Sequence, residues 1–235
     1  MVFLVLGNHE FYGLSRTEGL SLASKLENED VLHGKLKILN RRRIDISSDV
    51  TILGCTLHSH IRPENQDYIS TKVRDFQRIR HWTIRDHNEE HAGDIEWLRN
   101  EIKAIRSNEK QSSRKIIAVT HHAPIRRGGS RPEHEDNPQS DAFGTELIEP
   151  DTDFCDAKWW IFGHTHYSTS FSRSGVNLIS NQRGYIISHK AEAQARWNYD
   201  ATWQKLRLKL FRPMIVDSRS GKDQFDIGRC MKVAT

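Results

Sequence analysis

The sequence predicts an α/β protein, and two observations carry that expectation. Three short apolar runs, Val2-Phe3-Leu4-Val5-Leu6, Ile116-Ile117-Ala118-Val119 and Trp159-Trp160-Ile161-Phe162, have the length and residue types of buried strands. Ahead of the second run, Ile95, Leu98, Ile102 and Ile105 recur at intervals of three, four and three, the apolar stripe of an amphipathic helix. A chain of 235 residues can bury a substantial core. One domain over residues 1–192 is expected, followed by a poorly specified tail over 193–235.

The elements follow in order. After the first run, residues 17–30 place Leu20, Leu22, Ala23 and Leu26 near helical spacing, with Thr17 as the expected N-cap. Residues 36–38, 43–46 and 50–57 read as strands, interrupted by Asn40, Ser47-Ser48-Asp49 and Gly54. The helix carrying Ile95 to Ile105 runs into a polar turn at 107–113 and then the Ile116 strand. Residues 124–144 are rich in Pro, Gly, Ser and charge, and a loop of that length is expected to cover a functional site. Phe171, Val176, Leu178 and Ile179 flank Ser174-Gly175 as a hairpin. Asn181-Gln182-Arg183-Gly184-Tyr185 is expected to close the sheet.

Composition narrows the class. Thirty-five basic residues against 31 acidic ones give a net charge of +4, with no long basic block, so no nucleic-acid partner is indicated. Arg41-Arg42-Arg43 is read as a solvated edge, and Trp97, Trp159 and Trp160 as packing residues rather than a base-stacking platform. Cys55, Cys155 and Cys230 are odd in number and far apart, which points to neither a disulfide framework nor a thiolate metal site. A reducing setting fits, no run approaches membrane-spanning length, and a cytoplasmic location is expected.

Each apolar run ends in groups that can ligate metals: Gly7-Asn8-His9-Glu10, Thr120-His121-His122-Ala123-Pro124 and Gly163-His164-Thr165-His166. Loops beyond the carboxyl ends of strands are where open α/β sheets bind ligands, so these ends can converge. Imidazole nitrogen and amide oxygen suit zinc, iron, manganese or nickel. His164 and His166 could face one side of an extended backbone or diverge toward two adjacent ions. Glu10 suits the first turn of a helix. His58 and His60 are read as polar loop residues rather than ligands.

The three segments, in this order, resemble the calcineurin-like metallophosphoesterase superfamily, over roughly residues 1 to 190. The Phe11-Tyr12-Gly13 and Asn181-Gln182-Arg183-Gly184-Tyr185 stretches look like its Ser/Thr-phosphatase-related group. The resemblance implies a sandwich of two mixed sheets flanked by helices and metal-dependent hydrolysis of phosphate esters, monoester or diester. It implies that Asn8, His121 and His164 ligate one ion, that His166 ligates the other, and that His9 stands beside the phosphate. His122 would lie behind these ligands or face substrate. The family pattern opens with Asp-x-His and Gly-Asp-x-x-Asp, which have no counterpart ahead of Val2. The opening strands are therefore expected to be missing, at most one divalent ion of the Mn, Fe or Zn type is expected, and a non-catalytic protein-binding scaffold is the alternative to an enzyme.

Overall fold

The computed structural model describes residues 1–182. The predicted closing segment beyond Gln182, the boundary at 192/193, the tail and Cys230 lie outside the described residues. The α/β expectation holds, with two sheets. The smaller pairs β1 (Val2–Leu4) parallel to β2 (Leu36–Ile38), Phe3 opposite Lys37. The larger has six strands in the order β3-β4-β5-β6-β8-β7. These are β3 (Arg42–Asp45), β4 (Val50–Cys55), β5 (Lys115–Thr120), β6 (Ala157–Ile161), β7 (Thr169–Arg173) and β8 (Val176–Ser180). Its central strands β4, β5, β6 and β8 run parallel, and antiparallel β3 and β7 close its edges.

The continuous burial of β4 follows from apolar packing on both faces. On one face, Leu98, Ile102 and Ile105 of the long helix α4 (Ile84–Ser107) pack on Leu53, Cys55, Ile116, Ala118 and Trp160. On the other, Phe3 and Val5 meet Leu39, Val50, Ile52 and Ile117, so the small sheet lies against the large one. Trp160 is fully buried and its indole N–H donates to Thr120 Oγ1 at 2.9 Å, in keeping with a packing role. The hairpin forms as expected, with Ser174 and Gly175 both at positive φ, the turn geometry that suits the strand twist.

The helices depart from the sequence reading at their starts. Helix α1 spans Arg16–Glu27, and its N-cap is Ser15, not Thr17. Ser15 Oγ accepts from the Glu18 N–H while the Glu18 carboxylate accepts from the Ser15 N–H at 2.7 Å, a reciprocal cap that Thr17, already the second residue of the helix, cannot form. Two short helices follow, α2 (Gln66–Lys72) and α3 (Asp75–Arg78). The long helix α4 spans Ile84–Ser107, capped by Thr83 and Asp86, and so begins well ahead of Ile95. Its first turns bury His87, His91 and Asp94 where an apolar stripe would be, which hides them from a hydrophobic period.

The arginine run is also corrected. Arg41 pairs with Asp94 (2.8 Å) and Glu90 (2.9 Å), Arg42 with Glu27 (2.6 Å), and Arg43 with Asp45 (3.0 Å). The run ties β3 and its approach to α1 and α4 rather than forming a solvated edge. Among the described residues no helix is long and apolar enough to cross a membrane.

Candidate functional site

Three loop ends meet where the two sheets abut. The turn after β1 is a short 3-10 turn, Asn8–Phe11, and the Glu10 carboxylate closes it by accepting from the Gly7 N–H at 2.9 Å. Beyond β5, the N–H groups of His121 and His122 both donate to the Thr56 carbonyl (3.1 and 3.0 Å). Thr56 Oγ1 in turn donates to the Leu6 carbonyl at 3.0 Å. Beyond β6, the Gly163 N–H donates to the His121 carbonyl at 3.0 Å. His164 and His166 both adopt left-handed backbone, φ 69° and 53°, so neither of the two is extended.

These connections bring Asn8, His121 and His164 together. His121 Nε2 lies 3.0 Å from Asn8 Oδ1 and 3.0 Å from His164 Nδ1. Gly7 is required for this approach, because a Cβ there would sit 2.4 Å from His121 Cε1. Each partner of His121 is oriented from behind. Asp75 Oδ1 accepts from Asn8 Nδ2 at 2.8 Å and from the Tyr12 hydroxyl at 2.6 Å, which turns the Asn8 amide oxygen toward His121. His164 Nε2 donates to the Ala142 carbonyl at 3.1 Å, so Nδ1 of the neutral ring keeps its lone pair for the site. Burial lowers the pKa of His164 to about 4 and, together with the neighbouring His164, holds that of His121 well below the usual imidazole range. Both rings are neutral at physiological pH.

With its proton on Nε2, His121 hydrogen-bonds its neighbours. With its proton on Nδ1, three lone pairs face one another. Donors about 2.1 Å from one ion and at right angles to each other lie about 3 Å apart, the separation seen at both contacts of His121. Among the described residues no three His, Cys, Asp or Glu side chains gather as ligands; the trio here is two imidazoles and one amide.

His166 is exposed, and its N–H donates to Gln182 Oε1 at 2.6 Å. Partial burial and the nearby His9 hold its pKa down. His9 stacks on Tyr12 with ring centroids 4.5 Å apart. His166 and His9 stand beside the trio, near enough to act electrostatically on His121 and His164.

Behind the trio lies a second histidine group that sequence reading placed elsewhere. His58 lies on a loop but is buried: its ring packs 5.5 Å from His122 and 5.1 Å from His87, and Nδ1 lies 3.6 Å from Asp94 Oδ2. His60 is exposed as expected. His122 is fully buried behind His164, ring centroids 4.1 Å apart, and bonds Ser59 Oγ at 3.2 Å, so it faces the interior. Helix α4 holds the segment after β4 through ring nitrogens of His87 on the Ser59 carbonyl and of His91 on the His58 carbonyl, and through Asn88 on both backbone groups of Ile61. Asp75 and this helix face are the site residues that sequence reasoning missed. The spacing of the three inner α4 residues was the available signal; for Asp75 there was none.

Comparisons with known proteins bear on the family and the fold. The family model for calcineurin-like phosphoesterases matches residues 1–168. An uncharacterized protein of Acanthamoeba polyphaga mimivirus is 26% identical over 200 residues, 78% of this chain and 68% of the relative. Among solved structures, a phosphopantetheinyl hydrolase from Mycobacterium tuberculosis superposes with a TM-score of 0.57 at 14% identity, covering 86% of this chain and 73% of that one. At that identity the likeness is one of fold alone.

Proposed function

The chain belongs to the calcineurin-like phosphoesterase family, and from that premise we propose that it hydrolyses phosphate esters, monoester or diester, with the help of a divalent cation. The observation that carries the reading is the meeting of Asn8 Oδ1, His121 Nε2 and His164 Nδ1 at 3.0 Å separations, with the outer nitrogen of His164 and the amide nitrogen of Asn8 already engaged. These three would hold one cation of the Mn, Fe or Zn type, and His166 would serve an adjacent one. A cation bound there supplies Lewis-acid polarisation of a phosphoryl oxygen and an acidified water.

The chain's own residues do the rest. Neutral His121 and His164 bind without first losing a proton, and Asp75 keeps the Asn8 oxygen forward. Water oxygen bonds to phosphorus as the ester P–O bond breaks; the electron pair stays on the alcohol oxygen, which takes a proton from protonated His9, while the proton released by the water passes to solvent, from which His9 is reprotonated. The stack of His9 on Tyr12 fixes the ring in place for that transfer. Because the trio is neutral, at most one cation per chain is the expected stoichiometry. Buried Cys55 and half-buried Cys155, both free thiols, support a cytoplasmic setting.

The test is elemental analysis after dialysis alongside hydrolysis of 4-nitrophenyl phosphate and bis(4-nitrophenyl) phosphate with added Mn2+. One retained equivalent and Mn2+-dependent turnover, both lost in His121→Ala, are expected. Unchanged metal content in that variant overturns the ligand assignment. A folded chain that turns over no ester while capturing a protein partner replaces the enzymatic reading with the scaffold.

A further inference from the structure

A cleft of about 180 Å³ opens beside His164, walled by the 124–144 loop. Phe143 and Thr165 join it to the site: the Phe143 ring stacks on His164 at 4.8 Å, and Thr165 lies between His164 and His166. Ile125 is its buried apolar wall, and Ser130 and Ser140 add hydroxyls. Arg126 also lines it, and its charge is incompletely matched.

Fully buried Asp141 is shared between two guanidinium groups. Arg62 approaches it with Nε (2.9 Å) and Nη2 (3.1 Å) and has exposed Glu64 at 3.3 Å besides. Asn65 donates to the same carboxylate at 2.8 Å. Arg126 reaches it through Nη2 at 2.7 Å. The next carboxylate, Glu146, accepts from the Arg126 backbone N–H at 3.3 Å but is paired through its side chain with Arg173 at 2.8 Å. Among the described residues Arg126 therefore shares one carboxylate with Arg62, and its side chain, 23% exposed, lines the cleft. A guanidinium in a half-enclosed cleft binds an anion through charge-assisted hydrogen bonds.

We propose that Arg126 receives a second anionic group of the substrate, a carboxylate or a further phosphate carried on the alcohol portion of the ester, which lies in this cleft while the scissile phosphate is at the His121 site. This deepens the phosphoesterase reading and rests on it. Substrates would then be small phosphorylated acids or bisphosphates rather than esters of uncharged alcohols. The 124–144 loop, expected from its length to cover a site, becomes the element that sets this preference.

The experiment compares near-isosteric pairs: 4-carboxyphenyl phosphate against 4-carbamoylphenyl phosphate, and the same pair lengthened by two methylenes. 1,4-Phenylene bisphosphate against phenyl phosphate distinguishes phosphate from carboxylate as the second anion. The kcat/KM ratio of anionic to neutral member is expected to be about tenfold or more for at least one pair. It should fall toward one in Arg126→Gln and survive in Arg126→Lys, each variant serving as its own control for folding. In parallel, 4-hydroxybenzoate and 4-hydroxybenzamide, with their lengthened counterparts, are titrated while the NMR signals of Phe143 and Thr165 are followed, a readout that needs no turnover. Ratios near one for every pair, with no anion-selective binding, overturn the inference. Selective binding of the carboxylate that disappears in Arg126→Gln, in a protein that hydrolyses nothing, upholds Arg126 and removes the phosphoesterase reading instead.

Discussion

The two histidine groups of this protein sit back to back and differ in where their ring nitrogens go. In front, His121 Nε2 and His164 Nδ1 face each other and the Asn8 oxygen, and the groups behind them, the Ala142 carbonyl and Asp75, leave those lone pairs directed into the site. At the rear, His87 and His91 spend a nitrogen on backbone carbonyls of the segment after β4, and His122 spends one on Ser59. Burial makes all of these rings neutral. Neutrality alone therefore does not make an imidazole a ligand. The destination of its second nitrogen does, and the rear group is a polar strut between α4 and the loop that carries His58.

The sharpest way to break this comparison is to remove one ring from each group. His121→Ala should lower turnover by about 10³-fold and abolish cation retention, with the fold intact by circular dichroism. His87→Ala should leave bound cation in place and appear instead as a stability loss, given at the end of this series. Equal effects of the two on metal content would erase the distinction between front and rear.

Acid should act next, on the buried rings of both groups, with His91 of the rear group giving the scale. His91 has a folded pKa of about 4, pushed down chiefly by burial, against 6.5 for an ordinary imidazole. Its neutral form therefore stabilises the fold fully above pH 6.5, and that contribution fades as pH falls toward 4, because the unfolded chain takes the proton first. For this residue alone the loss is on the order of 3 kcal/mol. Urea midpoints measured on metal-free protein at pH 7 and pH 4.5 should show it. A midpoint that does not move would mean that the rear rings are hydrated in solution.

Orientation should matter less than removal. Gly7→Ala puts a methyl group where His121 lies, and Asp75→Asn deprives the Asn8 amide of its acceptor. Each should weaken cation affinity by about 10 to 100-fold, read by competition with a chelator. An unaltered affinity in Asp75→Asn would show that Asn8 holds its direction unaided. Smallest is His87→Ala, expected to cost about 1–3 kcal/mol in urea unfolding, as the Ser59 carbonyl loses its partner and a cavity opens under α4.

What the sequence disclosed and what it concealed divide along the same line. Runs such as Ile116-Ile117-Ala118-Val119 and the motifs at their ends are local, and a parallel sheet buried on both faces writes them as continuous apolar strings. The first half of α4 escaped because His87, His91 and Asp94 occupy its inner face, and polar residues at helical spacing look like surface until their partners are known. Arg41-Arg42-Arg43 misled for the same reason, since its acidic partners come from Glu27, Glu90 and Asp94 in other elements. Asp75, 67 positions from Asn8, and the sharing of Asp141 by Arg62 and Arg126 are products of tertiary placement that no local pattern encodes.

The junction at Thr56 gives the trio a mechanical meaning. Thr56 joins Leu6, two residues past β1 of the small sheet, to the His121-His122 turn of the large one, and the donors divide along that seam, Asn8 on one side and His121 and His164 on the other. Whatever all three grip acts as a rivet between the sheets. Since an occupant of the assembled site stabilises only the assembled state, its concentration sets how often the seam opens, and the first turn after β1 would register that occupancy through slower amide exchange before any change in catalysis was seen.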